Sequence, residues 1–227
     1  MVMAANVAAF ALELLCATGV RRRPPHRTLR EHCIAHLIGM VESRGVTFDP
    51  RIETVGLELI TSGAPVLVAT THVHAGLSRV ILRVLHDRNV AYEIVAGAAS
   101  FPVCGAAREV RCIQPGGAFL LTIRKHLRAP GLVLAMLDSA EQVTRASVPI
   151  ETDEGTFWIS DPILRLAQKT GAQIVFMRGS LRKDTIVVEF QRAASSSAEE
   201  LARALGAFAT GRRPGASGGW GHGPRPR

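Results

Sequence analysis

Short apolar runs recur along this chain at 66–70, 91–95, 111–114, 132–137, 173–178 and 185–190, set off by Gly, Pro, Asn or Asp. Runs of that length, rich in Val, Ile and Leu and without strict alternation, predict strands buried on both faces. Between most of them the apolar spacing changes to that of a helix, at 77–86, 117–127 and 162–170, the last closed by Gly171 as a C-terminal stop. A further helix is expected at 198–209, after a polar break at 193–197, and another at 28–44, where Leu29, Cys33, His36, Leu37, Met40 and Val41 share one face and Gly45 ends the run. Strand and helix alternating at this spacing imply crossover connections and a mostly parallel sheet flanked by helices, an α/β fold. The last two strands, joined through 179–184, are compatible with an antiparallel hairpin.

Within this pattern the stretch VGLELITSGAPVLVATTHVHAGLS, residues 55–78, stands out: a short helix, a Gly-Ala-Pro turn, a buried strand, and then His72 and His74 where the strand ends. The carboxyl ends of strands in an open α/β sheet are where ligands bind, so polar residues there call for a functional explanation.

Composition sharpens the picture. At 227 residues, 47% hydrophobic and 20% charged, the chain can bury one substantial core. Cys16, Cys33, Cys104 and Cys112 form no CxxC pair, which signals neither a zinc cluster nor a disulfide framework and fits a reducing compartment. A net charge of +8 points to an anionic partner, whether lipid headgroups, an acyl carrier protein or nucleic acid, or else to a solvated basic surface. The excess is concentrated: residues 21–30 hold five arginines and no acid, and residues 211–227 hold four more. There is no GxGxxG or GxxxxGK[ST] loop to cradle a nucleotide phosphate.

Residues 2–20 are apolar apart from Asn6, Glu13 and Thr18 and lead into RRRPPHR. Glu13 argues against a clean transmembrane span, and the segment lacks the basic start of a secretory signal. It reads either as an amphipathic helix at a membrane interface backed by the arginines or as a core helix. The expected organisation is therefore an apolar helix with a basic membrane-proximal segment over 1–27, an α/β domain over 28–210, and a Gly/Pro/Arg-rich tail over 211–227 with too little apolar surface to order itself.

Several segments, in collinear order, resemble the lysophospholipid acyltransferase superfamily, in particular its bacterial lipid A (lauroyl and myristoyl) acyltransferase branch. VGLELITSGAPVLVATTH resembles the helix, turn and strand leading into that branch's catalytic histidine; GGAFLLTIRKHLRAPGLVLAMLD resembles its helix, basic turn and strand ending in aspartate. DPILRLAQKTGAQIVFMRG and the closing WGHGPRPR resemble two further stretches, so the likeness covers most of the chain from residue 28 onward. The resemblance implies an acyltransferase-like α/β domain that moves a fatty acyl group from an acyl carrier protein or acyl-CoA to a hydroxyl of a glycolipid or lysophospholipid acceptor. It implies work at the cytoplasmic face of the inner membrane, with no metal or other cofactor.

Acyl transfer to a hydroxyl requires a base for the alcohol proton and donors for the oxyanion. The superfamily provides the base as His-x4-Asp or His-x4-Glu, and His72 stands at the matching position; the residue five further on is Leu77, not an acid. Counting from His74 reaches Arg79 instead. In the serine-protease triad, the worked example for such pairs, replacing the orienting acid lowers kcat by about 10⁴, so another acid has to substitute. Asp138, at the end of the strand LVLAML, is the candidate, because parallel-strand ends converge on one edge; the alternative is a turn cap with Ser139. His74 either contacts substrate or starts the next helix. Arg79 and Arg111 are candidates for substrate phosphate, with Arg83 read as helix surface and Arg111 alternatively as a partner of Glu109. The run DEGT, 153–156, echoes a glycerophosphate-acyltransferase motif but is followed by Phe157 rather than Arg, and reads as a turn.

Two other readings compete. His72-x-His74 after a strand also suits a metal-dependent hydrolase, which needs further ligands at other strand ends. Leu77 suits a catalytically impaired relative that binds lipid or a partner protein. Nucleic-acid binding rests on charge alone, without a motif and with few aromatics for stacking, and is not expected.

Overall fold

A computed structural model describes residues 51–71, 80–96, 100–102, 109–138, 147–152, 155–183, 185–194 and 197–211. The expected helix at 28–44, the apolar segment at 2–20 and the basic tail from 212 lie outside these residues. The described chain is a mixed α/β fold whose central sheet is mostly parallel and is flanked by four helices.

The strands are β1 (Arg51–Val55), β2 (Pro65–Thr70), β3 (Tyr92–Val95), β4 (Ser100–Pro102), β5 (Glu109–Ile113), β6 (Gly131–Met136), β7 (Ser147–Thr152), β8 (Gly155–Ser160), β9 (Gln173–Arg182) and β10 (Thr185–Arg192). The helices are α1 (Ile81–Asp87), α2 (Phe119–His126), α3 (Pro162–Thr170) and α4 (Ala198–Ala209). The short helix predicted after residue 55 is a single 3-10 turn, Leu57–Leu59.

The main sheet runs β1-β10-β9-β2-β6-β3-β5-β4. Its middle, β9-β2-β6-β3-β5, is parallel throughout. β9 and β10 form the antiparallel hairpin, and β4 pairs antiparallel to β5. Strict alternation of side chains divides the core in two. Leu67, Ala69, Val133, Ala135, Ile174 and Phe176 face α2, α3 and α4, whereas Val66, Val68, Leu132, Leu134, Val175 and Met177 face α1 and the 3-10 turn. That is why the strand sequences are apolar at consecutive positions.

The connections follow one hand. β2 crosses to β3 through α1 on one face, while β5 crosses back to β6 through α2, and β6 to β9 through α3, on the other. Adjacent strands β2 and β6 therefore send their crossovers to opposite faces. Their carboxyl ends form a topological switch point, the place where open α/β sheets bind ligands.

β7 and β8, a hairpin the apolar pattern does not reveal, pair Ser147 with Ser160 through Thr152 with Gly155. Of the DEGT segment expected to be a turn, Gly155 and Thr156 open β8, and residues 153 and 154 lie outside the described residues. The hairpin packs on α4, where Gly206 faces Ile150 so closely that a Cβ would lie 2.7 Å from the isoleucine's Cγ2. Gly171 ends α3 in the left-handed region at φ 72, as its place after the apolar run predicts; the start of α4 adds a feature the apolar pattern does not name, a reciprocal capping box of Ser197 with Glu200.

Candidate functional site at the carboxyl ends of β2 and β6

The carboxyl edge is built from three chain segments side by side. Thr70 and Met136 are paired in the β2–β6 ladder, and Leu137 N–H extends it by donating to Thr70 O at 3.0 Å. Leu137 O then accepts from Ser160 N–H at 2.7 Å, so the end of β8 joins the edge beside β6. On the far side Thr70 Oγ1 donates to Met177 O at 2.8 Å, tying the end of β2 to β9. Thr71, Asp138 and Asp161 are the next residues outward on these three segments.

Asp138 is half-buried, engaged in an interaction of its own, and at the carboxyl edge of β6 as its position after LVLAML predicts. His72, the next residue in the chain after Thr71, lies outside the described residues, as do His74 and Arg79. Arg111 is on β5, where its Cα partners Ser100 of β4. β3 lies between β5 and β6, which separates Arg111 from the end of β6 by two strand spacings, about 10 Å. Arg83, on α1, pairs with Asp87 at 3.6 Å in the ordinary i,i+4 manner of a helix surface.

Two polar atoms at this edge lack any hydrogen-bond partner: Thr71 Oγ1 and Asp161 Oδ1. Thr71 is 0% exposed and Asp161 1%. A buried acceptor or donor left alone costs about 1–3 kcal/mol, more when charged, so unpaired atoms cluster where something else is bound. Asp161 Oδ2, by contrast, takes both Arg165 Nε at 2.7 Å and Arg165 Nη2 at 2.6 Å. The pairing raises the Arg165 pKa, first through the hydrogen bond and then through the carboxylate's charge.

Neither Thr71 nor Asp161 is singled out by the sequence. Asp-Pro before an apolar helix reads as an ordinary N-cap, yet the Asp161 side chain makes no capping hydrogen bond. No local signal marks this, because Pro162 at the first helical position leaves intact the amides a cap would serve.

Cavities among the described residues include two that no residue of the β2 and β6 carboxyl ends lines. One, of about 590 Å³, opens at the amino ends of β3 and β6 among His86, Tyr92, Glu93, His126 and Gly131. The other, of about 370 Å³, adjoins it through Glu93 and His126 and reaches Cys112 and Phe119. Among the described residues no group of three or more His, Cys, Asp or Glu side chains is arranged to hold a metal ion. Nor is any described helix long and apolar enough to cross a membrane.

Comparison of the chain with protein-family profiles returns no match, and comparison with curated proteins returns none either.

Proposed function

We propose that this chain is an acyltransferase-like protein that moves a fatty acyl group from a thioester donor, an acyl carrier protein or acyl-CoA, to a hydroxyl of a glycolipid or lysophospholipid at a membrane surface. The observation that carries the reading is the switch point between β2 and β6, because the residue that follows β2's last described position is His72 and the residue that follows the β6 extension is Asp138. The collinear sequence likeness to the lipid A acyltransferase branch supports the same site.

In the proposed reaction the His72 imidazole takes the proton of the acceptor hydroxyl as its oxygen attacks the thioester carbonyl. The tetrahedral intermediate collapses, the carbon–sulfur bond breaks, and the imidazolium returns the proton to the departing thiolate. The products are the ester and the free thiol, so atoms and charge balance without a metal or redox partner. His74, Arg79 and Arg111 are the proposed substrate contacts, and the basic segments at 21–30 and 211–227 the proposed contacts with an anionic membrane face.

Leu77, in the place of the acid, favours a second reading, a relative with impaired catalysis that binds lipid or a partner protein. One assay separates the two. Purified chain is incubated with acyl carrier thioester and lysolipid acceptors beside a His72→Ala variant. Thioester-dependent ester formation that disappears in the variant is expected. Equal product in both, or none in either, overturns the catalytic reading, and stoichiometric zinc in the purified chain would replace it with the hydrolase one.

A further inference from the structure

Exposed apolar surface and positive charge gather on the carboxyl side of the sheet. α2 leaves β5 there and returns the chain to the amino end of β6, so its first turn stands at the carboxyl edge. From Gln114 to Ile123 the sequence holds no charged residue. Within that run positions 114–118, Leu120 and Leu121 are exposed, the two leucines by 44% and 66%. Arg124 and Lys125 follow on the same helix face and Arg128 just past its end, all exposed and, among the described residues, without an ion pair. Ile123 and Leu127 take the opposite, buried face.

The described chain meets its basic outer segments on the same side. Phe176 is the last β9 residue paired with β2, yet β9 runs on to Arg182; Thr185 partners Arg182, and Arg51 partners Thr185. Residue 51, which the arginine-bearing segment 21–30 precedes, therefore lies beyond the carboxyl end of β2. At the other end, a Cβ on Gly211 would lie 3.8 Å from Arg178 Nη1, and Arg178 follows Met177, whose carbonyl accepts from Thr70. The basic residues after 211 therefore leave from this edge too.

Along α2 the surface is graded, uncharged at the rim and cationic about 6 Å behind it. The helix dipole suits cations in the last turn but gives no reason for exposed leucines in the first. A bilayer presents the complementary order along its normal, acyl chains and then phosphates, over an interfacial depth of about 5–10 Å. An acidic protein surface has no such gradient.

We infer that the carboxyl edge faces an anionic bilayer, with Leu120 and Leu121 at the boundary of headgroups and acyl chains and Arg124, Lys125 and Arg128 at the level of the lipid phosphates. Entry stops there, because the backbone around 116–118 needs water or headgroups as hydrogen-bond partners. Trp158, 43% exposed and just before the Ser160 amide that joins this edge, is of the residue type that favours such a boundary. The inference rests on the proposed work at a membrane surface and does not require acyl transfer.

The test uses the full chain carrying Trp158→Phe and Trp220→Phe, with one new indole placed by Leu121→Trp or, at the exposed amino edge just before β2, by Ser62→Trp. Vesicles of phosphatidylglycerol and phosphatidylethanolamine should shift the Leu121→Trp emission to the blue, and lipid brominated near the headgroup should quench it. Ser62→Trp should keep its solution spectrum, and pure phosphatidylcholine vesicles should bind about tenfold more weakly. Leu120→Ser with Leu121→Ser, which leaves every charge in place, should lower vesicle affinity about tenfold with an unchanged circular dichroism spectrum. The inference is overturned by a chain that co-sediments with anionic vesicles while Leu121→Trp keeps its solution spectrum, by equal shifts at both positions, or by no vesicle binding at all. A Leu121→Trp shift caused by an acidic acyl carrier protein in solution and by no vesicle replaces it with a protein-docking face. Insertion without ester product keeps the inference and removes only the acyltransferase reading; His72-dependent product from a chain whose α2 stays out of the lipid does the reverse.

Discussion

Cys112 illustrates how a single side chain's surroundings set its chemistry. Burial, and secondarily the charge of Glu93 on β3, push its thiol pKa above the ordinary value of 9.0. The folded state therefore favours the protonated thiol. The associated stability is complete below the unfolded thiol's pKa and declines as pH rises through the folded one, an alkaline window above 9.0. At neutral pH Cys112 should alkylate with iodoacetamide more slowly than a free cysteine, and Glu93→Gln should speed it, as followed by mass spectrometry of the Cys112 peptide. Arg178 is a second case. It donates from Nε to Glu189 Oε2 at 2.6 Å and from Nη1 to Phe208 O at 3.0 Å, and its guanidinium lies 4.7 Å from the Phe208 ring centre. One residue joins β9, β10 and the end of α4. Arg178→Ala should cost about 2 kcal/mol in urea unfolding, since it leaves the largely buried Glu189 with only the exposed Arg182 as partner.

Among the elements, α4 shows packing overriding local preference. Alanine is the better helix former by about 1 kcal/mol, so Gly206 reads as a weakness in a helix. Three Ile150 atoms within 2.9 Å of where a Cβ would be placed reverse that sign. Gly206→Ala should destabilise by about 1–2 kcal/mol, and Ile150→Ala in the same chain should recover part of the loss, both read as shifts in denaturation midpoint. The elements legible in the sequence were those with a strong period or a clear stop. α3 and α4 have the boundaries their apolar spacing, Gly171 and the polar break at 193–197 imply. β1 was not legible because it lies at the sheet's edge with no fully buried residue, its positions alternating between exposed and half-buried. The β7–β8 hairpin was hidden by Pro149 and by polar residues at both ends of its strands. At the site, Asp138 was legible because it follows an apolar strand. The place of Asp161 at the same edge was not, because it depends on a long-range contact, Ser160 with Leu137, that no local pattern encodes.

On the scale of the whole molecule, charge and topology are separate properties with separate consequences. The charge of +8, concentrated at 21–30 and 211–227, should give binding to vesicles containing anionic lipid that weakens as salt rises from 0.05 to 0.5 M and is absent with neutral lipid, measured by co-sedimentation. Salt-insensitive attachment would instead point to the apolar segment at 2–20. The topology has its own outcome. β2, at the centre of the sheet, is paired on one side by β6 and on the other by β9, with Thr70 bonded to a carbonyl 107 residues later. On the ribosome, with chain emerging at about 5–20 residues per second, β2 waits many seconds with one side bare. The edge that holds Thr71 is thus completed late, and a nascent chain halted before β9 carries β2 paired on its β6 side alone, with Thr70 still lacking the Met177 carbonyl.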